Sequence, residues 1–407
     1  MTLPPLPLPP GLTSRTIQTS SLNIHILEAG RPESPPGQNT KPKPLIVLLH
    51  GFPELSYSWR HVLPRLASAG YHVVAPDQRG FGRTTGWDTR PHSEVDLSTF
   101  TISSLVRDII LLVHALGYRS VRCIAGHDCG AASAAACALM RPDFFQSVAL
   151  MSHPFNGSPE VPFNTATGDK GVDVVRLETE KAEKAKEVHE ELARLGRKHY
   201  QWYYSTKEAG PEMSDLGPEE MRRFLRGYFY LKSGSWRGNR PRALKRWSAD
   251  ELVQLPGYYV MPLEASMPET VAKDMESEDP SAVLKSHEWM SDEDLAVYAD
   301  EYGRTGFQGG LNWYRIRTAE KGRWAKDIEV FGGKKIEQPC AYVSGKLDWG
   351  NYQQPGAIEK MRDGVSCADL RILRLIDGVG HWTPQESPEE VVRAILDLID
   401  CLPEYVA

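Results

Sequence analysis

An aspartate stands at the tip of a turn between small residues. In GHDCG, residues 126–130, glycines sit two before and two after Asp128. Between a strand and a helix, such flanking marks a strained nucleophile elbow, where only small neighbours fit around the exposed central side chain. Cys129 is a rival nucleophile in the same turn, but its residue at minus two is His127, which is not small. The plainer reading of Asp128 is a helix N-cap. A nucleophile on an elbow needs an orienting acid and then a histidine, both later in the chain. VSGKLDWG puts Asp348 just past a strand, and IDGVGHWTP puts His381 on a loop past the next strand. His127 and His153 are weaker candidates and read as structural hydrogen-bonding residues. HGFPE, residues 50–54, also follows a strand end. A loop there supplies one oxyanion amide and the residue after the nucleophile supplies the other, which assigns Phe52 and Cys129 through their backbones.

These residues need a parallel sheet to bring them together, because catalytic groups gather at the carboxyl ends of its strands. PLIVLLHG (residues 44–51) is a continuous apolar run, as expected of a strand buried on both faces. YHVVAPD, SVRCIAGHD and QSVALMSHPF continue the strand series. SYSWRHVLPRLASAG, FTISSLVRDIILLVHALG and AASAAACALMRPDFF alternate with them as helices. PCAYVSGKLD, LRILRLIDG and the amphipathic SPEEVVRAILDLIDCL close the chain. The pattern is an α/β sheet with helices on both faces. It is interrupted after its fourth recognisable strand by helical, charged text rich in Tyr and Trp. The expected division is a core of residues 1–155, an inserted helical domain of residues 156–331, and the rest of the core at residues 332–407. Residues 31–44 read as a Pro-rich loop, and the charge run over residues 178–191 reads as a solvated helix face.

The bulk numbers narrow the function classes. A formal net charge of -6 gives no basic field for nucleic acid. Six cysteines in 407 residues, without a CxxC pair, read as reduced thiols of an intracellular protein. MTLPPLPLPPGLTS lacks the regions of a signal peptide, and no apolar run is long enough to span a bilayer. Cytoplasmic localisation is the expectation. No GxGxxG and no zinc-type spacing occurs, so neither cofactor nor metal is expected.

HGFPE, GHDCG, GKLDWG and GVGHW together resemble the epoxide hydrolases of the α/β-hydrolase superfamily, the soluble and fungal types. The resemblance runs from about Ile46 to the last helix. It implies an α/β-hydrolase fold in which the insert is a helical cap, with two tyrosines that hold the epoxide oxygen. GFQGGLNWYR resembles the second tyrosine motif and points to Tyr314; HYQWYY resembles the first and points to Tyr200, with Tyr203 and Tyr204 as competitors. It also implies that a small hydrophobic epoxide and water are the reaction partners; a homodimer is compatible with it. The chemistry explains the aspartate. A carboxylate with a pKa near about 3.9 is already ionised at neutral pH and opens the ring to an ester, which water can cleave. A serine would leave an ether.

Cys129 departs from the tryptophan common after the nucleophile in these enzymes, and the insert is long. Hydrolytic dehalogenation is the nearest alternative, since it uses the same triad. Haloalkane dehalogenases resemble this chain less, because Cys129 and Phe52 stand where they carry a tryptophan and an asparagine. Fluoroacetate dehalogenases carry an arginine in the elbow that is absent here. An epoxide-opening biosynthetic enzyme would use the same tyrosines, and a non-catalytic binding module would not need a complete triad.

Overall fold

A computed structural model describes residues 3–32, 43–159 and 174–404 of the chain. Most of the expected Pro-rich loop and the start of the insert lie outside the described residues.

Eight of the described strands form one sheet: β1 (Thr13–Gln18), β2 (Asn23–Ala29), β3 (Leu45–Leu49), β4 (His72–Pro76), β5 (Cys123–His127), β6 (Val148–Met151), β9 (Ile336–Gly345) and β10 (Cys367–Ile376). Their order across the sheet is β1-β2-β4-β3-β5-β6-β9-β10. From β4 to β10 every pairing is parallel; β1 and β2 add an antiparallel edge. β3, β5 and β6 are buried along their whole lengths, because helices cover both faces of a parallel sheet. Three of those helices are α1 (Leu63–Ser68), α2 (Ile102–Ala115) and α3 (Cys129–Met140). The alanines of α3 are mostly buried, which lets that helix lie close against β5 and β6.

Two sequence expectations change. The continuous helix expected over residues 56–70 is a short turn at Ser56–Trp59 followed by α1, in whose first turn Pro64 sits. Proline cannot donate an i to i−4 bond and fits only the first helical turn, so the helix begins there. The antiparallel edge, β1 with β2, was not among the strands expected. β1 is largely exposed and carries no apolar run.

Between β6 and β9 the described chain is helical except for one ribbon, β7 (Arg197–His199) paired with β8 (Val260–Pro262). Its helices include α4 (Val174–Arg194), α5 (Tyr200–Tyr203), α6 (Pro218–Lys232), α7 (Asp292–Thr305) and α8 (Gln308–Thr318). On α4, residues 183–191 are exposed apart from Val188, as the charge run requires. This segment sits directly on the sheet's carboxyl end. A Cβ at Gly309 would overlap the Gly80 carbonyl, so two backbones touch where α8 meets the loop after β4. Trp313 donates its indole N–H to the Arg79 carbonyl at 3.0 Å, and Arg83 pairs with Glu301 at 2.6 Å. The C-terminal helix, α9 (Pro388–Asp400), packs against β9 and β10. Among the described residues no helix is long and apolar enough to cross a membrane, and no cluster of His, Cys, Asp or Glu could hold a metal ion.

Candidate active site

Asp128 joins the end of β5 to the start of α3 with φ 52° and ψ −122°. That region costs a non-glycine residue about 1–3 kcal/mol and persists only where the surroundings enforce it. Here they do. A Cβ at Gly51 would overlap the Asp128 side chain, so the HGFPE loop passes directly beside the elbow. The Phe52 amide donates to Asp128 Oδ1 at 3.2 Å. No hydrogen bond from the Cys129 amide to this carboxylate is present among the described residues.

His381 lies on the loop after β10 and Asp348 on the loop after β9. The two strands are neighbours, and the structure brings the three side chains together. His381 Nδ1 is 3.0 Å from Asp348 Oδ1, and Nε2 is 3.4 Å from Asp128 Oδ2. Asp348 also accepts from the Gly350 amide at 2.7 Å and the Ser344 hydroxyl at 3.2 Å. With its acceptor capacity used in this way, Asp348 fixes the histidine tautomer that carries hydrogen on Nδ1. Nε2 is buried and has no aligned hydrogen bond. Burial pushes the Asp128 carboxyl up, but His381, Lys232 and His127 outweigh it and hold it well below its ordinary value. Asp348 is likewise lowered, with His381 and the Gly350 amide overcoming burial. The Asp128 side chain keeps 16% exposure, enough to meet a ligand.

The cavity above Asp128 is lined by Tyr200 and Tyr314, with Cys129, His153, Gln201 and Arg317 also on its wall. The Tyr200 and Tyr314 rings are 5.9 Å apart. Burial and the Asp128 charge raise both phenols, so both are protonated donors at neutral pH. The competitors face other partners. The Tyr203 hydroxyl donates to Glu212 at 2.7 Å, and that of Tyr204 bonds Tyr228 at 3.2 Å. Cys129 is no rival nucleophile in this setting: burial and the neighbouring Asp128 charge raise its thiol well above the ordinary range. His153, buried and beside Arg317, has its pKa lowered to about 4.

A family model described as the alpha/beta hydrolase fold matches residues 44–301. Epoxide hydrolase B of Mycobacterium tuberculosis is 31% identical over 373 residues, covering 90% of this chain and 93% of that one. The chain belongs to the epoxide hydrolases of the α/β-hydrolase fold family. Epoxide hydrolase 2 of Siraitia grosvenorii is 29% identical, covering 94% of this chain and 97% of that one. The solved structure of an epoxide hydrolase from an endophytic Streptomyces gives a TM-score of 0.71 at 27% identity, with 96% of each chain covered.

Two features of this α/β-hydrolase site go beyond the sequence reading, which took His127 only as a structural hydrogen-bonding residue. His127 Nδ1 is 2.5 Å from Glu54, while its Nε2 bonds the His381 carbonyl at 2.7 Å. A carbonyl only accepts, so Nε2 carries hydrogen. Glu54 also accepts from the Gly51 amide at 3.0 Å and the Gln385 amide at 3.1 Å, which favours its ionised form. His127 is therefore an imidazolium donating both ways. Burial opposes both charges, yet the pairing wins: Glu54 is lowered to about 2 and His127 is raised. The pair ties the HGFPE loop to the His381 loop. HGFPE displayed Glu54, but its partner lies 73 residues away in sequence. The second feature is Lys232, 3% exposed at the end of α6. Its ammonium lies 5.0 to 5.9 Å from the rings of Tyr228, Tyr258, Tyr259 and Trp382, a cage of aromatic faces. No local signal in YFYLKSGSW distinguishes it from a surface lysine.

Proposed function

We propose that the chain hydrolyses an organic epoxide to a vicinal diol through an ester on Asp128, with residues 156–331 acting as a cap over the core. The observation that carries this reading is the contact order Asp348–His381–Asp128 on a strained elbow. Phe52 N–H holds Oδ1, leaving Oδ2 as the attacking oxygen. Oδ2 displaces the ring oxygen from carbon while Tyr200 and Tyr314 donate to the alkoxide that develops. Oδ1 becomes the ester carbonyl. His381, oriented by Asp348, takes a proton from water, and that water attacks the ester carbon. The charge then forming on Oδ1 meets the Phe52 amide. Collapse breaks the bond between the carboxyl carbon and Oδ2, His381 returns its proton to the departing Oδ2, and the diol leaves with Oδ2 in it while the water oxygen stays on Asp128.

The test is a single turnover in oxygen-18 water with styrene oxide or a related neutral epoxide. The first diol is expected to carry unlabelled oxygen from Asp128, and the protein to gain one heavy oxygen. Label appearing in the first diol would overturn the covalent route. Halide release from haloalkanes without diol formation from any epoxide would instead favour dehalogenation.

A further inference from the structure

Arg317 is an exposed side chain on the wall of the substrate cavity, three residues after Tyr314 on the same helix. Residues three apart on a helix are surface neighbours, with Cβ atoms about 5–6 Å apart. Two residues earlier, Arg315 has a structural assignment, donating to Asn312 at 2.8 Å and to the His92 carbonyl at 2.7 Å. The Arg317 guanidinium makes no hydrogen bond or ion pair among the described residues. Its charge nonetheless reaches the cavity interior, where it acts on Cys129, His153 and Tyr200. Asp128 is the other charged group on this wall, and it sits at the floor where the ring must open.

Resting on the epoxide-hydrolase reading above, we propose that Arg317 is a specificity residue that selects epoxides carrying a carboxylate a few bonds from the ring. The geometry gives the two ends separate partners. The epoxide oxygen meets Tyr200 and Tyr314 over Asp128, and the carboxylate meets the guanidinium one helical turn further along. An unpaired guanidinium presents a planar fork that matches a carboxylate in two parallel hydrogen bonds. Ile102, Ala132, Trp313 and Ile316 supply most of the remaining wall, with Gln201 beside them, which suits a short, largely apolar spacer between the two ends. An uncharged substrate would leave the cation facing solvent and gain nothing from it.

The test measures kcat/KM for the terminal epoxides of butanoate, hexanoate and octanoate beside their methyl esters, in the full-length protein and in Arg317→Gln and Arg317→Lys. In the unaltered protein at least one carboxylate should exceed its ester by about tenfold, chiefly through KM, and the excess should shrink with added salt. Arg317→Gln should bring the acid-to-ester ratio to one or below, while Arg317→Lys should retain part of the preference. A ratio near one in the unaltered protein, with both members turned over, overturns the role of Arg317 and leaves epoxide hydrolysis standing. An equal ratio in the unaltered protein and in Arg317→Gln does the same. Turnover of no acid, no ester and no styrene oxide overturns the epoxide reading, and this proposal with it.

Discussion

In the proposed mechanism, Asp128 and the two tyrosines Tyr200 and Tyr314 carry different physical burdens. The aspartate must be ionised and exposed, and the elbow provides both: the cations around it hold the carboxyl well below its usual range, while the turn lifts it into the cavity. The tyrosines must stay protonated, and their burial beside a negative charge does that. Each is expected to matter separately. Tyr314→Phe or Tyr200→Phe removes one proton donor and should slow ester formation by about 10²-fold, a typical loss for a positioned acid. Stopped-flow tryptophan fluorescence on a single turnover checks it. Tyr203→Phe loses a bond to Glu212, away from Asp128, and should remain within a few fold of the parent rate. A loss at Tyr200→Phe as small as that at Tyr203→Phe would remove Tyr200 from the mechanism. In the sequence, HYQWYY could not separate these three residues. The three lie within one helical turn, with the Tyr200 and Tyr204 rings 5.4 Å apart, so spacing does not separate them and only their distant partners tell them apart.

Among the elements, the loops after β3, β5 and β10 must hold a fixed separation, and the Glu54–His127 pair spans all three. Glu54→Gln leaves a buried imidazolium without its counter-charge and should cost about 3–5 kcal/mol of stability. The cost is pH-dependent in a predictable window. Glu54 has its pKa depressed from 4.5 to about 2, so its contribution is present above 4.5 and fades as pH falls toward 2. His127 has its pKa raised from 6.5, so its contribution is complete below 6.5 and fades as pH rises through the folded value. The difference between parent and Glu54→Gln should therefore be largest between about pH 4.5 and 6.5 and narrow on either side, as urea titrations extended below and above that window would measure. A difference that does not vary with pH would contradict the ionised pair. What was legible in the sequence divides along the same physical line. β3 and β5 are apolar because both of their faces are covered, so their runs declared them. Asp348 and His381 followed from the order of strand ends. β1 is largely exposed, the β7–β8 ribbon has three residues a side, and Glu54 and Lys232 depend on partners far along the chain; none of these has a local signature.

At the scale of the whole molecule, the site has two halves from different parts of the chain. The carboxylates and His381 belong to the sheet, the tyrosines to the inserted helices, and the distance between them is set by how the insert sits. Three contacts set it close to the chemistry. α8 touches the loop after β4 at Gly309 and Gly80, the His381 amide donates to the Lys232 carbonyl at 2.8 Å, and Trp382 donates its indole N–H to the Phe229 carbonyl at 2.7 Å. Interfaces packed this closely do not yield gradually, since even one added methylene in a packed interior is felt. Gly309→Ala puts a methyl where the Gly80 carbonyl lies, five residues before Tyr314 on the same helix. Relieving the overlap has to lift the start of α8 from the sheet, and Tyr314 rides on that helix. The variant is therefore expected to lose about 1–3 kcal/mol of stability and to slow ester formation together. Leu311→Val, a buried change on the same helix that keeps the backbone contact, should lower stability by a comparable or smaller amount while affecting ester formation much less. Thermal unfolding paired with single-turnover rates separates the two effects. Gly309→Ala destabilised with an unchanged rate of ester formation would mean that Tyr314 is positioned by something other than this backbone contact.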